Sequence, residues 1–157
     1  MLFRSGWFDL TTEAAGAGMV YGFGLPDGMV VPDPASRGQA EDCDGRSLVV
    51  DPDAFNWRNQ EWRGRPWHEA VIMELHIGTL TAEGTFDAAR RELPRLQKLG
   101  ITAIQIMPLA DFKGSRNWGY DGVLPYAPDR SYGSTSALKA LVDQAHRELV
   151  GRRRGFG

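Results

Sequence analysis

The chain is poor in the residues that staple small exported proteins. Cysteine occurs once in 157 residues, as Cys43, so no internal disulfide can form and a reducing cytoplasm is the simplest compartment. Histidine occurs three times, at His68, His76 and His146, too scattered to offer zinc its usual ligand spacing. No metal and no cofactor is expected. Charge of one sign is missing too. Eighteen basic residues stand against 20 acidic ones, a formal net charge of -2, which gives nucleic acid or an anionic membrane no electrostatic reason to bind. No apolar run approaches the ~18 residues that span a bilayer. Residues 1–10 lack the apolar core and small-residue cleavage site of a secretory signal. What is left is a chain 42% hydrophobic, long enough for one domain with a core or for pieces of two.

Helical periodicity is absent from residues 1–56. Short apolar runs at 6–10, 19–25, 29–31 and 48–50 are separated by Gly, Pro and Asp. Asp27-Gly28 between two of them is a hairpin signal. The texture is that of an antiparallel β-sandwich, but about three strands fall where such folds use about seven. Residues 32–37, with Pro32 and Pro34, must be extended or turned. Residues 57–68 form a linker rich in Trp and Arg. Trp57, Trp62 and Trp67 there are expected to clamp two parts of the chain together by aromatic burial.

From residue 69 the pattern becomes regular. An apolar strand at 70–75 is followed by a turn at 76–79, a helix at 86–99 and a second apolar strand at 101–107. Two strands joined by a helix with short connections make a parallel, right-handed βαβ unit. The first strand has the continuous apolar character of one buried on both faces. Glu74 interrupts it, so that carboxylate must be satisfied by a neighbour or be functional. His76 at the strand's end is expected to be a structural hydrogen-bonder. Thr85 is the expected N-cap and Asp87 complements the helix dipole. Phe86, Ala89, Leu93, Leu96 and Leu99 form a core-facing stripe, Pro94 should kink or break the helix, and Gly100 sits where a left-handed C-cap belongs. A further helix starts at Ser134 or Thr135, with Leu138, Leu141, Val142, Ala145 and Leu149 on one face. The terminal Gly-Arg-Arg-Arg-Gly-Phe-Gly is expected to be a solvated or disordered end.

Between these elements, residues 108–133 show neither helical nor alternating periodicity. A loop that long in a compact domain is usually functional or disordered, and Phe112, Trp118, Tyr120, Tyr126 and Tyr132 are the wrong composition for disorder. Loops after the carboxyl ends of strands are where α/β folds bind ligands. Glu74, Asp111, Asp121 and Asp129 are the available carboxylates, and nothing in their spacing marks an acid/base pair.

Met73-Glu74-Leu75-His76-Ile77-Gly78-Thr79, then Gly100-Ile101-Thr102-Ala103-Ile104 and Met107-Pro108, resemble the opening of the catalytic barrel in α-amylase-type glycoside hydrolases (family 13). Asp111-Phe112 with Arg116-Asn117-Trp118-Gly119-Tyr120-Asp121-Gly122-Val123 is most similar to those members that release trehalose from maltooligosyltrehalose. Residues 127–128, 132–133 and 138–146 continue the match, and 31–37 with 50–52 resemble the end of an upstream β-sandwich in the same enzymes. Met73 and Leu80 depart from the usual Tyr and Phe, and Gly38 stands where an aromatic is common. After His146 the likeness ends, and the family's next strand with its Asn-His motif is absent.

The resemblance implies an α/β fold: the first two βα units of a (β/α)8 TIM barrel at 69–157, preceded by part of an all-β immunoglobulin-like sandwich at 1–56. It implies an α-glucan or maltooligosyltrehalose substrate, with a 1,4-α-glucan branching enzyme, or a non-catalytic or non-functional product, as the alternatives. None of the chain's carboxylates matches the family's nucleophile or acid, so the chain alone is expected to be an inactive fragment. Tyr120 matches a position that stacks on glucose at the cleavage subsite. Asp121 beside it should bind sugar hydroxyls or fix the loop, and Trp118 and Asn117 line the sugar or pack the loop. The residues leave oligomeric state open.

Overall fold

A computed structural model describes residues 10–149. The apolar run at 6–10 and the arginine-rich end therefore lie almost wholly outside the described residues. Among the described residues the architecture is mixed α/β, with four two-stranded sheets and three α-helices. No described helix is long and apolar enough to cross a membrane.

The first part consists of four two-residue strands. β1 (Val20–Tyr21) pairs antiparallel with β4 (Ser47–Leu48), and β2 (Phe23–Gly24) with β3 (Val30–Val31). The turn predicted at Asp27-Gly28 joins β2 to β3, with the Leu25 N–H donating to the Met29 carbonyl at 2.8 Å. Buried Ser36 and Ser47 anchor the connection from β3 to β4: the Ser36 hydroxyl donates to the Gly38 carbonyl, and the Asp33 N–H donates to the Ser47 hydroxyl. Burial, together with the Asp33 carboxylate that accepts its hydroxyl at 2.6 Å, pushes Tyr21 up to about 12.

The linker does clamp, but not by burying its tryptophans. Trp57 and Trp62 keep 37% and 42% of their surface and Trp67 keeps 80%. The clamp is polar. The N–H groups of Arg58 and Asn59 both donate to Asp143 Oδ1, at 3.0 and 3.2 Å, and the Asn59 side chain donates to the Asp143 carbonyl. Trp62 adds a face-to-face stack on His146, ring centroids 3.8 Å apart.

The βαβ unit is present. β5 (Ile72–Leu75) pairs parallel with β6 (Ala103–Ile106), Ile72 opposite Ala103 and Leu75 opposite Ile106. Both strands are shorter than their apolar runs, because the flanking residues turn into connections. The expectation of burial on both faces fails. Leu75 is buried and Met73 half-buried on one face, whereas Ile72 and Glu74 on the other are exposed. Glu74 is therefore not a buried carboxylate, and it accepts from Gln105 Nε2 across the strand pair at 3.2 Å. The expected turn at 76–79 is instead one turn of helix, α1 (Ile77–Leu80).

In α2 (Phe86–Lys98) the Thr85 hydroxyl accepts from the Ala88 N–H, as an N-cap should. Phe86, Ala88, Ala89, Leu93 and Leu96 are buried. Leu99, expected in this stripe, is the C-cap and 67% exposed. Behind it Gly100 takes φ +88°, with the Gly100 N–H bonded to the Gln97 carbonyl and the Ile101 N–H to that of Leu96. This pairing is a Schellman cap. Pro94 does not break the helix. It lies on the exposed face, so only one hydrogen bond is forgone while Leu93 and Leu96 hold the turns around it in the core. α3 (Thr135–Glu148) starts from a Ser134 cap, packs against α2 and buries Leu141. The core joins Leu75, Ile77, Phe86, Leu93, Leu96, Phe112, Tyr132, Leu141 and Leu149.

Candidate functional site

Residues 108–133 are not the irregular loop that their missing periodicity suggests. β7 (Ala110–Asp111) and β8 (Leu124–Pro128) pair antiparallel with a bulge, and a 3-10 turn at Arg130–Tyr132 follows. The hairpin sends Phe112 into the core and its tip, 113–123, out over the carboxyl ends of β5 and β6. Asp129 stitches the base. One of its oxygens accepts from the Phe112 N–H at 3.1 Å and the other from the Ser131 N–H at 2.8 Å. Asp111, buried among these groups, is pushed up to about 6 by desolvation and by the Asp129 charge.

A cleft of about 630 Å³ opens where β5 and β6 end, the place where α/β folds put their ligand sites. His76 and Met107, which directly follow the two strands, line it along with Gly78 and Thr79; Arg116, Asn117 and Trp118 come from the tip, and Tyr132 from the hairpin's far end. The tip is held to the floor through one imidazole. His76 Nε2 lies 2.7 Å from the Asn117 carbonyl, which can only accept, so the proton sits on Nε2. The Tyr132 hydroxyl is 3.3 Å from the same nitrogen. His76 Nδ1 is buried without a partner among the described residues. His76 is thus the structural hydrogen-bonder that its place at the strand end suggests. Tyr132 is 3% exposed, its ring edge-on to those of Phe86 and Phe112, and burial pushes its hydroxyl upward in pKa.

Asn117 spends its side chain on the tip itself. Its Oδ1 accepts from the Gly119 N–H at 2.6 Å and its Nδ2 donates to Asp121 Oδ2 at 2.9 Å. Gly119 takes φ +101°, and a β-carbon there would stand 2.2 Å from the Pro108 carbonyl oxygen. Only glycine allows the tip to come this close to the end of β6. The aromatic residues on either side are thrown outward: Trp118 is 78% exposed and Tyr120 is 70% exposed.

Of the four residues marked by sequence, Asn117 and Trp118 line the cleft, while Tyr120 and Asp121 stand on the tip outside its lining. His76, Thr79 and Tyr132 join them, brought together from distant positions that no spacing signal links. Among the described residues no Asp or Glu lines the cleft. The arrangement offers aromatic faces, a guanidinium and a fixed imidazole. It can hold a polyhydroxylated ligand, but it carries no carboxyl pair to cleave one.

No family model matches the chain. It is 45% identical over 142 residues to the malto-oligosyltrehalose trehalohydrolase of Saccharolobus solfataricus, covering 90% of this chain and 25% of that protein. The enzyme of the same name from Deinococcus radiodurans is 48% identical over 136 residues, covering 87% and 22%. A 1,4-alpha-glucan branching enzyme of Burkholderia lata is 31% identical, covering 94% and 23%. Among solved structures, a Salmonella typhimurium protein described as an alpha amylase superposes with a TM-score of 0.90 at 52% identity, over 93% of this chain and 25% of that one. A pullulanase of Anoxybacillus sp. LM18-11, complexed with maltotetraose, gives 0.65 at 23% identity over 78% and 23%, a likeness of fold. The chain spans about a quarter of the length of the curated relatives it matches.

Proposed function

From this kinship with malto-oligosyltrehalose trehalohydrolases, we propose that the chain supplies one wall of the sugar cleft in an enzyme that frees trehalose from maltooligosyltrehalose. The bond cleaved is the α-1,4 link between the glucan and the terminal trehalose. The supporting observation is the hairpin tip, which presents Trp118 and Tyr120 to solvent beside a cleft at the carboxyl ends of two parallel strands. A flat aromatic ring suits the apolar C–H face of a pyranose, and the tyrosine hydroxyl and Arg116 can bind its rim. Asp121, held by Asn117, keeps one oxygen for a sugar hydroxyl.

In this reading residues 69–157 are the opening βα units of a (β/α)8 barrel, 57–68 the connection, and 1–56 part of an N-terminal immunoglobulin-like sandwich. The open face of β5 and β6, with Ile72 and Glu74, is then the side that looks into the barrel. The chain binds sugar and does not hydrolyse it, because the cleft holds no acid/base pair. A 1,4-α-glucan branching enzyme is the second reading, favoured by the Burkholderia lata relative.

Titration of the chain with maltooligosyltrehalose and with plain maltooligosaccharide, followed by tryptophan fluorescence, tests both. Stacking contributes about 0.5 to 1.5 kcal/mol beyond area, so Tyr120→Ala should weaken binding by up to roughly tenfold. Preference for the trehalose-capped chain supports the hydrolase, and preference for plain glucan supports the transferase. Binding by Tyr120→Ala and Trp118→Ala as tight as the parent's would remove both residues from the sugar site. Trehalose released by the chain would refute the missing carboxyl pair.

A further inference from the structure

Away from the cleft, the connection between β3 and β4 meets β7, and three metal-ligating groups converge there. One carboxylate oxygen of Asp42, the Cys43 sulfur and one carboxylate oxygen of Asp111 all lie within 4.8 Å of one another. A second observation is independent of this clustering. Asp111 is 1% exposed, and neither of its oxygens makes a well-aligned hydrogen bond among the described residues, although the backbone N–H and the guanidinium of Arg130 are near enough to favour its charged form in part. Asp129, equally buried, accepts N–H bonds on both of its oxygens. A buried carboxylate without a well-aligned partner is costly, and an ion is one of the few things that explain it. We propose that Asp42, Cys43 and Asp111 form a binding site for a zinc-class divalent cation.

The donor set selects the metal. Zn²⁺ takes thiolate and carboxylate together, and three protein ligands leave a fourth position for water. Ca²⁺ and Mg²⁺ want six or more oxygens and would leave the sulfur idle. Bonds of about 2.0 to 2.3 Å in a tetrahedron set ligand atoms roughly 3.3 to 3.8 Å apart, so the three groups close by about 1 Å on binding. Asp42 can make that move. Its side chain is 28% exposed, which also gives the ion its entrance. The N–H groups of Cys43 (2.8 Å) and Gly114 (3.1 Å) orient its carboxylate from behind, as outer hydrogen bonds do around metal ligands. Lys113 stands 3.8 Å from Asp42 but is paired with Asp44 and mostly exposed, so it can swing clear. Cys43 packs on Leu124 and Ala127 of β8, and the ion would tie the first part of the chain to the hairpin that carries the cleft.

The test uses the full chain, reduced and stripped with chelator, and Co²⁺ as a spectroscopic probe. One equivalent should give a near-ultraviolet thiolate-to-cobalt band with tetrahedral visible bands, and one equivalent of Zn²⁺ should erase both. Cys43→Ser should abolish the thiolate band, and Asp111→Asn should weaken Co²⁺ binding at least tenfold. Ca²⁺ at the same concentration should not compete. The parent spectrum decides by itself, whether or not the variants fold: cobalt bound with no thiolate band, or no cobalt bound, overturns the site. A band that survives unweakened in a folded Asp111→Asn chain overturns it as well.

Discussion

Replacing Gly119 by alanine tests how the hairpin tip is built. The added β-carbon would lie 2.2 Å from the Pro108 carbonyl oxygen and 3.0 Å from its carbonyl carbon, both backbone atoms that no side-chain rotation can clear. The residue also sits at φ +101°, where a side chain adds about 1 to 2 kcal/mol of strain. Forced repacking of a tight contact adds about 1 to 3 kcal/mol. Gly114 on the same tip is the control. Its φ is +88°, yet nothing lies within 4 Å of a β-carbon there, so Gly114→Ala should bear the strain alone. The two variants should therefore differ by about 1 to 3 kcal/mol, or roughly five- to 150-fold in an opening equilibrium. Amide hydrogen exchange over residues 108–123, read by mass spectrometry, measures that opening without requiring a cooperative global melt. Gly119→Ala should lose most of the segment's protection, Gly114→Ala only about five- to thirtyfold. Equal losses in the two variants would refute the idea that close approach to Pro108 fixes the tip.

The helices were legible because their signals are local. Caps at Thr85 and Ser134, the glycine at 100 and a 3.6-residue apolar period bound α2 and α3 to within a residue or so of where they lie. The break weighed at Pro94 does not occur, because the rule against proline in a helix interior concerns one lost bond and one clash, and the five buried residues of α2 can outweigh that. β8 stayed hidden for the opposite reason. Leu124–Pro128 carries two prolines, which read as breakers in a central strand but are tolerated in a short edge strand.

Burial was the least legible property, since it depends on what lies opposite. The run at 70–75 carries apolar residues on both faces, and one face stays open because no described element covers it. The cleft divides in the same way. Composition alone marked residues 108–133 as a site, and the tip delivered Asn117 and Trp118 to it. The pairing of His76 with Tyr132 and the convergence of Asp42 and Cys43 on Asp111 are products of folding, with no spacing in the sequence to announce them.

Leu96→Ala removes a side chain that is 0% exposed at the contact between α2 and the core; a loss of about 2 to 5 kcal/mol is expected, read by denaturant titration. Val71 and Ile72 leave 51% and 43% of their surface exposed, so the chain should associate with rising concentration, and sedimentation of a strict monomer at high concentration would count against that open face. The last expectation concerns acid. Burial raises the pKa of the Asp143 carboxyl, but the N–H bonds from Arg58 and Asn59 outweigh it and the net position is below the usual range. A carboxyl with a lowered folded-state pKa binds protons less readily in the folded chain than in the unfolded one. Its contribution is therefore complete above the unfolded value of about 3.9 and drains away as pH falls through the lower folded value. Asp143→Asn keeps the shape and removes the charge, so at pH 7 it should cost about 1 to 2 kcal/mol for the lost charge-assisted bonds. Below pH 4 the gap between variant and parent should shrink, because the parent is then losing the same charge. A gap that stays constant from pH 7 to pH 3 would show that the ionised Asp143 does not hold the linker onto α3.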